Sequence, residues 1–167
     1  QLQMCIRDSL AGFLENKFSK DWRIHYQKSE MKLATDSAGK EVFKMQHDIF
    51  LTHRATNKEI ILDTKYKIRE HDFKQDNKKG IDQNDLYQMT SYAFRRGCTD
   101  VILVYPNLSD NLHEADNFEI ASGFNGKEKV NVTAIEIPFW TINNFKAKEV
   151  DDKLFKTIEN NLNRLIK

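Results

Sequence analysis

Three residues could hydrolyse a phosphate ester if the fold brought them together: Asp48, Asp63 and Lys65. The run Ile60-Ile61-Leu62-Asp63-Thr64-Lys65-Tyr66-Lys67 reads as a strand, in which alternate side chains share a face. Ile61, Asp63, Lys65 and Lys67 then point one way, with Asp63 and Lys65 roughly 6.5–7 Å apart along the backbone. Such a spacing holds a carboxylate and an ammonium side by side without forcing one tight ion pair. The run opens on Ile-Ile-Leu, a core-strand signature, and charge at the end of a buried strand calls for a partner. A divalent metal carrying a phosphate would satisfy both signs. The second acid, Asp48 in Met45-Gln46-His47-Asp48-Ile49-Phe50-Leu51, lies on the preceding predicted strand, so an antiparallel pair would let Asp48 and Asp63 share one ion. All-oxygen ligation suits Mg²⁺, or Mn²⁺, rather than zinc. The metal would activate water, and Lys65 would stabilise charge developing on the phosphate or orient that water.

Periodicity predicts the elements that must position these groups. Leu10, Phe13, Leu14 and Phe18 mark an amphipathic helix over 9–19. Strands are expected over 22–27, 42–51 and 59–67, with small polar residues making a loop of 35–41. A charged loop from Arg69 to Gly80, with Lys74, Lys78 and Lys79, offers nothing to pack and reads as solvated. Asp82 opens a helix that Gly97 caps, and Arg95 and Arg96 suit the negative end of its dipole. The apolar run 99–105 belongs at a sheet centre, closed by Pro106. Asn125-Gly126 marks a hairpin between strands over 118–124 and 129–137. Leu154, Phe155, Ile158 and Leu162 mark a final amphipathic helix over 151–166. The expected fold class is α/β, a mixed central sheet flanked by helices.

Composition narrows the function classes. The 167 residues fit one domain, and 40% hydrophobic with 31% charged residues excludes a disordered or low-complexity chain. Lys+Arg 26 against Asp+Glu 25 leaves a net charge of +1, so any DNA contact must come from a local patch. Cys5 and Cys98 are too few for a disulfide framework, a zinc site or a cysteine-ligated iron–sulfur cluster, and a cytoplasmic compartment is expected. Five scattered histidines lack ligand spacing. The chain opens on Gln1, and Met4-Cys5-Ile6-Arg7-Asp8-Ser9 looks like a translated adapter remnant. Residues 1–9 are therefore expected to be a non-native lead-in. Residues 10–167 are expected to form the folded domain.

Asp48, 14 intervening residues, then Asp63-Thr64-Lys65 resembles the PD-(D/E)xK nuclease motif, with His47 where the motif usually has proline. Asp85-Leu86-Tyr87-Gln88-Met89-Thr90-Ser91-Tyr92 is similar to the Q-x-x-x-Y helix of its RecB-like branch, with Gln88 and Tyr92 sharing a helix face. Together with Leu103-Val104-Tyr105-Pro106, these motifs resemble the McrC family, the nuclease subunits of McrBC systems that restrict DNA containing modified cytosine. The resemblance covers about Leu10 to Ile137, and it implies that residues 10–167 are the nuclease domain from the C-terminal part of a longer protein of that family. It implies a restriction-endonuclease-like fold and a Mg²⁺-dependent endonuclease that cuts DNA when driven by an AAA+ GTPase motor. It also implies the Thr64 backbone carbonyl as a further metal ligand, Gln88 and Tyr92 as supporting residues over the metal, and Glu15 as an acid near it. A RecB-like repair or other defence nuclease is the alternative within the fold. A degenerate nuclease domain serving as a DNA-binding or docking scaffold is the non-enzymatic one.

Overall fold

The computed structural model describes residues 2–26, 31–69, 77–109, 111–121, 126–138 and 147–166. Its elements are α1 (Leu2–Phe18), β1 (Trp22–Tyr26), β2 (Lys32–Thr35), β3 (Glu41–Lys44), β4 (Ile49–His53), β5 (Glu59–Thr64), α2 (Gln83–Arg96), β6 (Asp100–Asn107), β7 (Asp116–Ala121), β8 (Lys129–Pro138) and α3 (Ala147–Ile166). Six strands form one mixed sheet in the order β1-β4-β5-β6-β8-β7, and β2 pairs β3 apart from it. Strands β5, β6 and β8 run parallel, while β1–β4, β4–β5 and β7–β8 are antiparallel. The mixed α/β sheet flanked by helices is the fold class expected from the pattern.

Strand alternation builds two cores. One face sends Ile49, Leu51, Ile60, Leu62, Ile102 and Val104 against Leu10 and Leu14 of α1 and Leu154, Ile158 and Leu162 of α3. The other sends Phe50, Ile61, Val101 and Leu103 against Met89, Tyr92 and Ala93 of α2. Burying a branched aliphatic or phenyl side chain contributes about 1.5–3 kcal/mol, so these layers fix the register from which the charged residues project. β6 is buried along its whole length, as its apolar run requires.

Several boundaries differ from the sequence reading, each for a tertiary reason. α1 begins at Leu2 rather than 9, with Ile6 in the core one turn before Leu10. The single strand expected over 42–51 is two, β3 and β4, separated at 45–48, and the expected loop 35–41 lies within the β2–β3 hairpin. Met45 turns into the core at the break, where its burial offsets the lost ladder bonds. β5 ends at Thr64, although the Lys65 N–H still donates to the Val104 carbonyl at 2.8 Å. Pro106 does not stop β6, which runs to Asn107. α3 starts at Ala147, a turn early. Arg69 contradicts the unpacked loop: it is buried, donates to the Lys79 carbonyl at 2.8 and 3.1 Å, pairs with Asp116 and lies over the Tyr105 ring. Asn125 of the predicted hairpin turn lies outside the described residues, while its flanking strands pair as expected.

Candidate active site

β5 carries Asp63 on the face that bears Ile61, at the C-terminal end where parallel sheets open their crevices. Asp48 sits in the bend just before β4, not on a strand. β4 pairs with β5 through Ile49↔Leu62, and one further step of that register sets Asp48 against Asp63. There the ladder gives way to side-chain bonds. The Asp48 carboxylate accepts the Thr64 N–H at 3.0 Å and the Thr64 hydroxyl. Thr64 is fully buried, so it fixes the acid from both its backbone and its side chain.

Lys65, buried with its stem along the strand end, places Nζ 2.7 Å from Asp63 Oδ2 and 3.0 Å from Asp85 Oδ1. Asp85 comes from the first turn of α2. That helix starts where the Asp82 carboxylate accepts the Asn84 N–H at 2.8 Å, and it stops at Gly97, whose φ of 72° suits a residue without Cβ. Asp85, Gln88 and Tyr92, spaced three and four residues apart, present one helix face to the cavity. Gln88 Nε2 donates to the Tyr92 hydroxyl at 3.3 Å.

Burial pushes the Asp63 carboxyl above its usual range, and the charges of Asp48 and Asp85 add to that, with Lys65 offsetting only part. For Lys65, burial acts downward, but Asp63 and Asp85 outweigh it and hold the ammonium above its ordinary value. Three acids thus face one inner cation, and the floor of the site is short of positive charge. Arg7, Lys44 and Lys67 stand on the cavity lining together with Gln46 and Tyr66, around a volume of about 600 Å³. An acidic floor inside a basic lining is the charge pattern for a metal-bridged phosphodiester.

Of the residues singled out from sequence, Asp48, Asp63, Lys65, Gln88 and Tyr92 line this one cavity, with Thr64 directly behind Asp48. Glu15 does not join them. It is exposed beside a separate depression with Arg23, His25 and Arg54. Its carboxylate neighbours Tyr26, whose phenol is held far above its ordinary range by burial and then by Glu15. Asp85 and Arg7 were missed as site residues. Asp85 stands three residues before Gln88 on the same face and is legible from that spacing, whereas Arg7 falls within the expected lead-in.

Among the described residues, no group of three or more His, Cys, Asp or Glu side chains forms a metal cluster. Two carboxylates are nonetheless what Mg²⁺ commonly takes from a protein, with waters and phosphate oxygens completing the shell. The donor set and the charge deficit at Asp63 fit such an ion.

Residues 8–106 match the family described as McrBC 5-methylcytosine restriction system component, more than half of the chain. The chain belongs to the McrBC family. A solved structure from Thermococcus gammatolerans, described as a half-complex of a tetradecameric assembly of McrB AAA+ hexamers with bound McrC, superposes on this McrBC-family chain with a TM-score of 0.64 at 11% identity. The match covers 96% of this chain and 33% of the other, so the chain spans about a third of that protein's length and shares its fold. A comparison with curated proteins finds no significant sequence match. No helix among the described residues is long and apolar enough to cross a membrane.

Proposed function

We propose that this chain is the Mg²⁺-dependent DNA endonuclease domain of a McrBC-type restriction system, acting on DNA that contains modified cytosine through a PD-(D/E)xK site. The observation that carries the reading is the meeting of Asp48, Asp63 and Lys65 in one cavity that Lys44 and Lys67 also line. Asp48 and Asp63 would hold the ion with the Thr64 carbonyl. A bound Mg²⁺, or Mn²⁺, supplies Lewis-acid activation of water and of the phosphate. Lys65, with its ammonium between Asp63 and Asp85, would stabilise charge on a non-bridging phosphate oxygen or orient the attacking water. The lining cations draw the DNA backbone toward the acids, which would otherwise repel it. An AAA+ GTPase partner is inferred from family membership and from the solved assembly.

The test is cleavage of modified-cytosine plasmid in Mg²⁺ by the chain joined to its native flanking sequence, with the motor partner and GTP. Asp63→Ala and Lys65→Ala should each abolish nicking and cutting. Variants that cleave like the parent would show the site to be misassigned. A requirement for DNA ends would transfer the reading to a repair exonuclease, and absence of GTP-dependent gain would remove the motor.

A further inference from the structure

The β2–β3 hairpin stands off the main sheet and ends at the cavity through Lys44. Two features of it are unfavourable for an isolated fold. Lys32 and Lys44 are direct cross-strand partners, a like-charge pairing that weakens a ladder. Among the described residues neither ammonium has a carboxylate within ion-pair range. Beside them Phe43 takes a φ of 57°, a left-handed conformation costly for a bulky side chain, and the ladder skips its pairing with Leu33. This conformation does not serve core packing, because Phe43 is 73% exposed.

The hairpin is nevertheless firmly rooted. The Met45 N–H donates to the Met31 carbonyl at 3.1 Å, Arg95 of α2 donates to the Lys32 carbonyl at 3.0 Å, and Met45 is buried at its base. A rooted arm with paired cations, a projecting phenyl ring and a direct path to a phosphodiester site has the chemistry of a nucleic-acid wedge. Lysines neutralise phosphates, and apolar side chains enter the base stack of a groove they kink.

We infer that the β2–β3 hairpin is a DNA-binding arm, in which Lys32 and Lys44 straddle the backbone beside the cut site and Phe43 wedges into the base stack of the duplex. The inference rests on the endonuclease reading for its choice of DNA as the occupant. Anion binding between Lys32 and Lys44 explains why they face each other, and base contact explains why Phe43 is held outward at a backbone cost.

The experiment is equilibrium binding and end-to-end fluorescence transfer on a doubly labelled duplex, in EDTA so that chemistry plays no part. Phe43→Ala should weaken binding about tenfold and remove the bend. Lys32→Ala/Lys44→Ala should lower the slope of log K against log salt by about 1.8, from 0.9 for each of two phosphates. Phe43→Gly, which relieves the positive φ, should raise Tm by about 2 °C while losing DNA affinity, separating function from folding. Hairpin variants that bind and bend duplex as the parent does would overturn the arm, as would a parent that does not bind duplex. Unchanged DNA binding with a lost response to the motor would assign the hairpin to protein docking and overturn it equally. A parent that binds through the hairpin yet never cleaves in Mg²⁺ would leave the arm standing and remove the nuclease.

Discussion

Replacing Asp63 by asparagine should make the protein more stable while destroying its activity. Asp63 is only 6% exposed, and burial with the charges of Asp48 and Asp85 raises its pKa although Lys65 lies 2.7 Å away. An acid whose pKa is higher folded than unfolded keeps its proton longer in the folded state. Stability therefore falls as pH rises from the unfolded value, about 3.9, through the folded one. Asparagine keeps the shape and removes that penalty. Lys65 keeps its 3.0 Å bond to Asp85 in the variant, so no buried cation is stranded, and exchanging a carboxylate that Asp48 and Asp85 repel for a neutral amide should gain about 1–2 kcal/mol at pH 8. For a domain of this size that is a Tm gain of about 2–8 °C. The assay is thermal unfolding of both proteins in EDTA from pH 4 to pH 8. The gap should be near zero at the acid end, open upward and then level off. Adding Mg²⁺ should narrow it by stabilising the parent alone. A variant less stable than the parent at pH 8, or a gap independent of pH, would refute the account of Asp63 as an under-compensated charge.

Thr64→Val keeps the strand but removes the hydroxyl donated to Asp48, so Mg²⁺ affinity read by calorimetry should fall about tenfold, the low end for losing a partner that orients a metal ligand. Glu15→Gln should leave cleavage within about twofold of the parent, since Glu15 faces another depression; a large loss would bring it back to the metal. Arg69→Ala strands the Asp116 carboxylate and the Lys79 carbonyl, and urea unfolding should show a loss of about 3 kcal/mol.

The parts of this fold that could be read from sequence are those set by local rules. The caps of α2 at Asp82 and Gly97, the apolar run of β6 and the alternation that put Asp63 and Lys65 on one face all depend on neighbours a few residues away. What escaped depends on distant partners. The break at 45–48 exists because Met45 finds a core site and Asp48 finds Thr64, 16 residues on. Arg69 looked solvated because its partner Asp116 lies 47 residues away. Strand β6 continues through Pro106, where the notional stop assumed no flanking pair, whereas β8 runs alongside to Pro138. Asp85 was read as part of a helix motif, and its bond to Lys65 appears only once α2 packs over the end of β5.

That packing sets how freely the Asp85 turn can move. The buried residues of α2 are Met89, Tyr92 and Ala93, from its middle onward, while the turn that delivers Asp85 is held by the Asp82 cap, the clasp on Lys65 and the partly buried Leu86. The helix therefore has a deeply packed end and a more lightly packed one. Amide protons in the first two turns should exchange with solvent sooner than those after Met89. When the clasp opens, the ammonium of Lys65 keeps Asp63 and leaves the place of Asp85 to solvent or to another anion, at the cost of part of the contact Leu86 makes with the hydrocarbon layer beneath.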